Sequence, residues 1–374
     1  MKVALVYDRV NKIGGAERVL TALHTLWPEA PLFTSVYDPI RAPWARTFDV
    51  KTTFLQHIPF AKSHHEWFAW LTPFAFGSLS LDGYDVVISV TSAEAKSIIT
   101  KPETLHICYC LTPTRYLWSG ERTYTENTGF GIFHTIAKTM FSVLLPALRD
   151  WDQVASQRPD RFIAISKRVE ERIRNYYKRT ADEVIYPPVD TDFFRPSTSG
   201  HKDGDYYLFV SRLVPYKRAD IVVGACSHLQ KRLIVIGNGS EKSTLRTIAG
   251  PAVQFINDNL TDRALVRYYQ NCRAFLFAGD EDFGIVAGEA QASGKPVIAY
   301  AQSGVSEIVT DGKTGLLYAS QSKKGLEDAI IRFEKMKFSS SECRKNALRF
   351  SNRIFQKAIK GFVEREFQKL ETTL

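Results

Sequence analysis

The sequence predicts an α/β fold built from two doubly wound parallel sheets, one in each of two domains. With 374 residues, the chain exceeds the usual size of a single hydrophobic core. Short apolar runs alternate with helix-like segments through both halves, which is typical of parallel sheets covered by helices. Pro187 and Pro188 stop an apolar run near the middle and mark a stiff connector.

In the first half, apolar runs of strand length predict five strands, which are Val3–Tyr7, Pro31–Tyr37, Asp85–Ser89, Leu105–Cys110 and Phe162–Ile165. Helices are predicted at Ala16–Leu26, which has leucines on one face, and at the basic segment Lys167–Tyr177.

The second half repeats the alternation more regularly. The predicted strands are Tyr206–Val210, Arg232–Ile236, Ala252–Phe255, Ala274–Phe277 and Pro296–Ala299. The predicted helices are Ala219–Leu229, Leu260–Asn271, Ile285–Ser293 and Leu326–Lys335.

We therefore expect a first domain over residues 1–187 and a second over 188–345, facing each other across a cleft. Apolar residues recur at helical spacing from Ser341 to Gln368 and predict a terminal helix within 346–374 that packs across both domains.

The net charge of +9 predicts a negatively charged partner. Nucleic acid ranks last, because Lys and Arg are spread along the chain and form no platform with aromatic residues. The uncharged stretch 67–81 is shorter than the roughly 20 residues that span a bilayer. Strand-like sequence follows Met1-Lys2 directly, and five cysteines form no disulfide framework, so a cytoplasmic protein with reduced thiols is expected.

The most informative stretch is Gly279 to Ala290, which lies between two predicted strands and contains Glu281 and Glu289. Ligands bind open parallel sheets at the carboxyl ends of the strands, where helix N-termini present N–H groups to anions. Glu281 is predicted to face the cleft, and Glu289 to bind a vicinal diol from the first turns of the helix. The alternative interpretation is a surface loop followed by a solvated carboxylate at a helix start.

Two further patterns could carry chemistry, and each has an alternative interpretation that stays open. Arg212 and Lys217 follow the first strand of the second domain, where they would neutralise a diphosphate or be solvated surface cations. Gly14-Gly15 precedes the first predicted helix, where the two glycines would either contact a phosphate or form a plain tight turn.

Three aspartate pairs could hold a divalent ion, namely Asp190 with Asp192, Asp203 with Asp205, and Asp280 with Asp282. Turn formation explains the first two pairs adequately, and a required metal is not expected. His64-His65-Glu66 lacks the spacing of a zinc motif.

Aromatic residues cluster between Phe54 and Phe76, including Trp67, Trp70 and Phe74. Core packing is the default explanation. The alternative is a surface that faces a bilayer, because Trp and Phe suit the interface and cations would assist on an anionic leaflet. The cations considered for this role are Lys62, Lys167, Arg168, Arg172 and Arg174.

Taken together, these motifs resemble glycosyltransferase family 4, a group of retaining enzymes with the two-domain GT-B fold of Rossmann-like domains. The resemblance covers nearly the whole chain and rests on five segments, which are Gly14–Glu17, Ser211–Lys217, Glu281–Glu289, Ala290–Ala299 and Gly304–Glu307. Within the family, the chain is most similar to bacterial mannosyltransferases of O-antigen and other surface polysaccharides. The segments that carry this narrower resemblance are Leu105–Cys110, Thr112–Tyr116, Val184–Asp190 and Glu281–Val286.

The resemblance implies a nucleoside-diphosphate sugar donor, GDP-mannose, and a glycan acceptor on polyprenyl diphosphate, with no cofactor and no metal. The first domain would hold the acceptor and the second the donor, and the terminal helix would return to the first domain. The base would be selected near Gly237–Ser240 and Asn257–Thr261.

By position in the family motifs, the resemblance implies roles for nine residues. Gly14 and Gly15 would lie at the donor phosphate, Arg212 and Lys217 at the diphosphate, and Glu281 at the sugar hydroxyls. Phe283 belongs to the same loop, Gly284 and Ile285 would offer backbone N–H groups, and Glu289 would hold the ribose.

Two positions depart from the family pattern. Leu111 stands where relatives carry a histidine near the reacting carbon, and Ala287-Gly288 replaces a proline and an apolar residue. Leu111 leaves a second hypothesis open, a catalytically silent nucleotide-sugar-binding subunit of a polysaccharide assembly complex. A third, a nucleotide-sugar epimerase, would need a carboxylate acid and base on one sugar.

Overall fold

The computed structural model describes residues 1–12, 14–62, 68, 70–120, 134–197, 204–256 and 260–373, with the side chains of residues 134–138 and 140 excepted. The chain forms two compact units. Unit 1 contains Met1–Tyr186 and Gln356–Leu374, and unit 2 contains Pro187–Phe355. No described helix is both long enough and apolar enough to cross a bilayer.

Unit 1 is a seven-stranded sheet in the order β3-β2-β1-β4-β5-β6-β7, and its strand pairs are parallel. The strands are β1 Val3–Tyr7, β2 Leu32–Thr34, β3 Val50–Thr52, β4 Val86–Thr91, β5 Leu105–Cys110, β6 Arg161–Ala164 and β7 Glu183–Val184. The helices are α1 Gly15–Leu26, α2 Thr72–Gly77, α3 His134–Ser156 and α4 Lys167–Arg172, the last continued by a π-helical turn at Ile173–Tyr177.

Unit 2 is a six-stranded parallel sheet in the order β10-β9-β8-β11-β12-β13. Its strands are β8 Tyr207–Val210, β9 Leu233–Ile236, β10 Val253–Ile256, β11 Ala274–Phe277, β12 Val297–Tyr300 and β13 Gly315–Tyr318. The helices are α5 Ala219–His228, α6 Lys242–Ile248, α7 Asp262–Asn271, α8 Ile285–Ala292, α9 Lys323–Phe333 and α10 Ser340–Ala347, and α11 Asn352–Glu371 closes the chain.

Fully buried strands of each sheet supply the cores, as their continuous apolar sequence requires. In unit 1, β1 and β4 are buried along their whole length. In unit 2, β9 and β11 are buried throughout, and α5 packs on the same core. The five cysteines are buried thiols.

Helix α11 belongs to unit 1 from Gln356 onward, whereas residues 346–355 belong to unit 2. The side chain of Glu366 is 5% exposed and accepts hydrogen bonds from Arg161 Nε at 2.7 Å and Lys369 Nζ at 2.8 Å. Arg365 donates to Glu183 at 2.8 Å. A carboxylate at the centre of these cations therefore ties the last helix to the edge of the first sheet.

Burial alone would raise the pKa of Glu366, but hydrogen bonds from Arg161, Lys369 and Arg365 outweigh it and lower that pKa to about 2. A carboxyl group with a lowered folded-state pKa stabilises the fold above its unfolded-state pKa of about 4.3, and the contribution is lost as the pH falls toward 2.

We expect Glu366→Gln to be less stable than the wild type at pH 7 and to lose less stability between about pH 4.5 and pH 2. Urea unfolding followed by circular dichroism at a series of pH values measures this. Glu364→Gln, which changes a half-exposed carboxylate of the same helix, is the control. Identical pH profiles for the wild type and Glu366→Gln would contradict the role of this carboxylate.

Candidate functional site

The candidate residues of unit 2 lie at the carboxyl edge of its sheet, where the strand order changes direction. The chain runs outward from β8 to β10, then returns to pair β11 with β8 and continues to β13 on the other side. Doubly wound sheets bind ligands at such a switch point. Arg212 follows the end of β8 and Glu281 follows the end of β11, so the topology brings their loops together.

Lys217 and Glu281 form an ion pair across this switch point. Lys217 lies in a 3₁₀ turn, Pro215–Lys217, and its Nζ is also 5.2 Å from the centroid of the Tyr216 ring. The two charged side chains are only 15% and 16% exposed. Because an ammonium group has three N–H donors, Lys217 can bind Glu281 and an additional anion at once.

Arg212 is exposed at the same edge. Its Nη2 donates to the Tyr216 hydroxyl at 2.8 Å. A guanidinium group has five N–H donors, so this contact leaves most of its donor capacity for an anion. Tyr216 thus contacts both predicted cations, a role that the sequence analysis missed because a tyrosine between two basic residues has no distinctive spacing.

Two glycines in the loop after β9 allow the loop after β8, which carries Arg212, to pass close to their backbone without a clash. A Cβ on Gly237, at φ 144°, would lie 1.9 Å from the carbonyl oxygen of Ser211. A Cβ on Gly239, at φ 157°, would lie 2.2 Å from that of Leu213. The amide of Leu213 donates to the carbonyl of Asn238 at 2.8 Å. The loop that carries Arg212 is therefore held by backbone contact with the β9 loop.

The loop after β12 holds the Glu281 loop from its other side. The amide of Gly304 donates to the carbonyl of Glu281 at 2.7 Å, and the amide of Glu281 donates to Ser303 Oγ at 3.3 Å. A Cβ on Gly304 would lie 2.2 Å from the carbonyl oxygen of Asp282. A Ser-Gly pair that follows a strand is the sequence signal that could have identified this contact.

Gly284 begins α8 in a left-handed conformation, at φ 87°. It has no side chain, so the helix N-terminus has no side-chain cap, and the first amides, including that of Ile285, are available to an anion at the carboxyl edge. Phe283, by contrast, is buried and packs against Phe350 with ring centroids 5.3 Å apart. Only the backbone of Phe283 can contribute to a ligand contact from this position.

Glu289 lies one turn further along α8 and is buried. Its Oε2 accepts a hydrogen bond from the Tyr269 hydroxyl at 3.1 Å. The sequence pattern predicts the position of this carboxylate on the helix but not its tyrosine partner, which comes from the preceding helix. A contact of Glu289 with a ribose stays a prediction.

Gly14 and Gly15 lie in unit 1, before and at the start of α1. A Cβ on Gly14 would lie 3.0 Å from Oε2 of Glu17, whose Oε1 accepts a hydrogen bond from the Tyr7 hydroxyl at 3.0 Å. A carboxylate therefore stands at the N-terminus where a phosphate is predicted. The role of Gly14 and Gly15 at a phosphate stays a prediction.

Unit 1 holds a second polar cluster at its own switch point, between β1 and β4, which the sequence analysis missed. Asp8 accepts hydrogen bonds from Thr91 Oγ1 at 2.7 Å and from the amide of Ala95 at 2.9 Å. The buried Glu94 accepts a hydrogen bond from Tyr116. Burial raises the pKa of Glu94, while Arg9 opposes that rise. These residues come from three separate loops, so no local sequence motif could have predicted the cluster.

Leu111 lies at the same edge of unit 1, directly after β5. Its amide donates to the carbonyl of Thr91 at 2.8 Å. A leucine side chain can neither donate nor accept a hydrogen bond, so this position offers a ligand shape and apolar surface only.

Within the described ranges, no three His, Cys, Asp or Glu side chains lie close enough together to hold a metal ion. Asp282 is buried, so the predicted pair with Asp280 does not present two open carboxylates. His64-His65-Glu66, Trp67 and Asp203 fall outside the described residues, as do residues 257–259 of the predicted base-selecting loop.

Residues 190–350 match the family model of glycosyl transferases group 1. This stretch covers most of unit 2 and all of its candidate residues. A D-inositol 3-phosphate glycosyltransferase of Mycobacteroides abscessus is 27% identical over 285 residues, which cover 67% of this chain and 64% of that protein. An uncharacterized glycosyltransferase of Methanocaldococcus jannaschii is 27% identical over 58% of this chain and 61% of that protein. The chain thus spans less than two thirds of the length of these relatives.

Solved structures match nearly the whole chain. HepE of Anabaena in complex with UDP and glucose has a TM-score of 0.72 at 18% identity, over 97% of this chain and 99% of HepE. Sucrose-phosphate synthase of Thermosynechococcus elongatus has a TM-score of 0.72 at 17% identity, over 99% of this chain and all of that one, 100%. At such identities the likeness concerns the fold. It confirms the predicted fold class, two parallel-sheet Rossmann-like domains as in GT-B glycosyltransferases.

We expect Gly304→Ala to destabilise the loops of unit 2, because the added Cβ would collide with the backbone at Asp282. Gly361→Ala is the matched control, since nothing lies within 4 Å of its added Cβ and alanine favours a helix interior by about 0.5–1 kcal/mol. Thermal unfolding measures both variants. A Gly304→Ala protein as stable as Gly361→Ala would contradict the close loop contact.

Proposed function

We propose that this chain is a retaining glycosyltransferase. It transfers mannose from GDP-mannose to a glycan carried on polyprenyl diphosphate, in the synthesis of a surface polysaccharide. The observation that carries this proposal is the Lys217–Glu281 ion pair beside the uncapped N-terminus of α8. It lies within the stretch that matches the glycosyl transferases group 1 model. The glycosyltransferase names of the relatives support the same reaction class.

In this proposal, Arg212, Lys217 and the first amides of α8 bind the donor diphosphate. Charge-assisted hydrogen bonds of this kind contribute about 1.5–3 kcal/mol each. The bond from the sugar C1 to the phosphate oxygen breaks in the reaction, and the leaving diphosphate gains negative charge. Bonds to these cations therefore strengthen in the transition state, as catalysis requires.

Glu281 serves the sugar in this proposal, because Lys217 fixes its carboxylate beside the diphosphate position. The acceptor hydroxyl attacks C1 from the face that the diphosphate leaves, so the configuration is retained. The acceptor proton passes to the departing diphosphate oxygen. This step needs no imidazole, which makes the reaction compatible with Leu111.

The donor base and sugar are the finer part of the proposal. The family resemblance favours GDP-mannose, whereas the complex of HepE with UDP and glucose makes a uridine donor the comparison to test. The name of the curated relatives also makes an inositol phosphate the alternative acceptor to include.

We expect Arg212→Ala and Lys217→Ala each to lower the rate of sugar transfer by about 10²–10³-fold, because each removes a donor to the leaving diphosphate. Radiolabelled sugar transfer by the purified protein measures this. Arg332→Ala and Lys335→Ala are matched controls, since both residues are exposed cations around the end of α9. Near-normal turnover in both Arg212→Ala and Lys217→Ala would refute these roles.

A thermal-shift screen of nucleoside diphosphates identifies the base. A ligand at 100 times its Kd adds about 2.7 kcal/mol of stability. Because GDP-mannose is the proposed donor, we expect GDP to raise the melting temperature more than UDP. Glu281→Gln should lose transfer while GDP still raises the melting temperature, because Arg212 and Lys217 keep their N–H donors for the diphosphate. A larger shift from UDP would overturn the choice of guanine while leaving the reaction class intact.

Leu111 favours one second candidate, a nucleotide-sugar-binding subunit without activity. Donor binding with neither transfer nor donor hydrolysis, across lipid-linked glycans and inositol phosphate, would support that candidate against the enzyme. Isomerised donor in the absence of acceptor would point instead to an epimerase.

A further inference from the structure

Unit 1 contains a buried ion pair between a loop and a helix. Lys96 lies in the loop after β4, and its side chain is 1% exposed. Asp152 lies in α3, and its side chain is 0% exposed. Lys96 Nζ donates to Asp152 Oδ1 at 2.6 Å. Burial alone would lower the pKa of Lys96, but the charge and the hydrogen bond of Asp152 outweigh burial and raise that pKa, so the lysine stays charged.

The Lys96 ammonium group uses all of its hydrogen-bond donors inside unit 1. Besides Asp152, it donates to the carbonyl of Ala93 at 2.6 Å and to Thr114 Oγ1 at 2.9 Å. An ammonium group has three N–H donors, and these three contacts engage all of them. Because Thr114 lies in the loop after β5, Lys96 ties this loop to the loop after β4.

The Asp152 carboxylate holds the loop after β5 at two points. Its Oδ1 accepts a hydrogen bond from Thr114 Oγ1 at 2.8 Å, and its Oδ2 accepts one from Trp118 Nε1 at 2.8 Å. The Trp118 ring stacks on Tyr176 of the π-helical turn after α4, with ring centroids 5.1 Å apart. Tyr177 of the same turn accepts a hydrogen bond from the amide of Thr114 at 3.0 Å. The loop after β5 is therefore held by α3 and by this turn.

The loops after β4 and β5 meet again at a second contact. Glu94 lies two residues before Lys96, and Tyr116 lies two residues after Thr114. The Tyr116 hydroxyl donates a hydrogen bond to the Glu94 carboxylate. Glu94 is buried, whereas Tyr116 and Arg9, whose charge acts on Glu94, are partly exposed. The buried ion pair thus stands directly behind the polar cluster at the switch point of unit 1.

A buried ion pair is a weak source of stability. Taking two charges out of water is costly, and apolar side chains of similar shape often stabilise a core as well or better. Hydrogen bonds differ from apolar contacts in that they hold only over a narrow range of distances and angles. The contacts of Lys96 and Asp152 therefore determine where the two loops lie more than they determine how stable unit 1 is.

We propose that Lys96 and Asp152 are positioning residues for acceptor binding, an inference that rests on the proposed function. A doubly wound sheet binds its ligand at its carboxyl edge. The proposed donor residues lie in unit 2, which leaves the carboxyl edge of unit 1 for the acceptor. Tyr116 and Arg9 at this edge carry groups that can hydrogen-bond the hydroxyls of a sugar. The buried pair keeps Tyr116 in the place that such a contact requires.

The most selective test is Thr114→Val, which keeps the branched shape of the side chain and removes the hydroxyl that joins Lys96 to Asp152. The probe acceptor is a mannose disaccharide on farnesyl diphosphate, a short form of the proposed acceptor class. We expect kcat/KM for this acceptor to fall by about 10–100-fold, because a displacement of about 1 Å in a substrate site can cost up to 10²-fold. Thr114→Ser keeps the hydroxyl and should transfer sugar as the wild type does.

Donor kinetics separate positioning from a general loss of folding. The KM for GDP-mannose and the rate of donor hydrolysis without acceptor should stay unchanged in Thr114→Val, since the proposed donor residues lie in unit 2. A residue that acts on folding alone would instead lower the melting temperature and change the donor and acceptor constants together.

A double variant tests the ion pair itself. Lys96→Met with Asp152→Leu removes both charges, so we expect a melting temperature close to that of the wild type and the same loss of acceptor kcat/KM. Asp152→Asn alone should melt at a lower temperature, because it leaves a buried ammonium group without its counter-ion. Lys101→Met with Asp82→Leu is the matched control, since this ion pair of unit 1 is 53% and 63% exposed.

The possible outcomes distinguish this inference from the proposed function. The inference fails if the wild type transfers sugar and the double variant Lys96→Met with Asp152→Leu transfers it equally well. It also fails if the acceptor and donor constants of Thr114→Val change in parallel, or if Thr114→Ser is as impaired as Thr114→Val. A wild type that transfers no sugar to the probe acceptor would overturn the proposed acceptor, and this inference would fall with it.

Discussion

The ion pair between Lys217 and Glu281 is the interaction on which the candidate site of unit 2 depends. It joins the loops after the two central strands, and both side chains are mostly withdrawn from water. Removing one partner of such a pair leaves the other charge poorly solvated, which is costly. The pair therefore fixes a carboxylate and an ammonium group side by side at the edge of the sheet. A fully exposed ion pair, by contrast, would contribute little to stability.

The surrounding loops keep this arrangement in place mainly through their backbones. Glycines at 237, 239 and 304 allow peptide groups to approach at distances that any side chain would prevent. Hydrogen bonds between backbone amides and carbonyls of these loops then hold the loops in position without a contribution from mobile side chains. A rigid frame of this kind is suited to electrostatic stabilisation, because donors that are already oriented need no reorganisation during a reaction.

The fold was largely predictable because parallel strands that are buried on both faces appear in the sequence as short, continuous apolar runs. Several of the missed elements have weaker patterns, although β13, Gly315–Tyr318, is a mostly buried strand that was missed as well. Strand β3, Val50–Thr52, has an exposed lysine between a half-buried valine and a half-buried threonine, and β7 has only two residues. Helix α3 was missed because apolar residues such as Val143, Leu144 and Val154 are exposed on it, which blurs the one-sided pattern expected of a helix on a sheet. The positions of Arg212, Lys217 and Glu281 followed from strand order. Tyr216 lies between the two cations but has no distinctive spacing. Ser303, which contacts Glu281, and Tyr269, which contacts Glu289, come from distant segments.

Because α11 completes unit 1 only after the chain has passed through unit 2, the first unit cannot finish folding as it emerges from the ribosome. Arg161 and Glu183 at the edge of the first sheet form hydrogen bonds with Glu366 and Arg365. These two partners are synthesised after all of residues 187–355. At ordinary rates of translation this delay is roughly 10–30 s. During that interval the nascent chain exposes an incomplete surface, so chaperone engagement should concentrate on the first unit although it is made first.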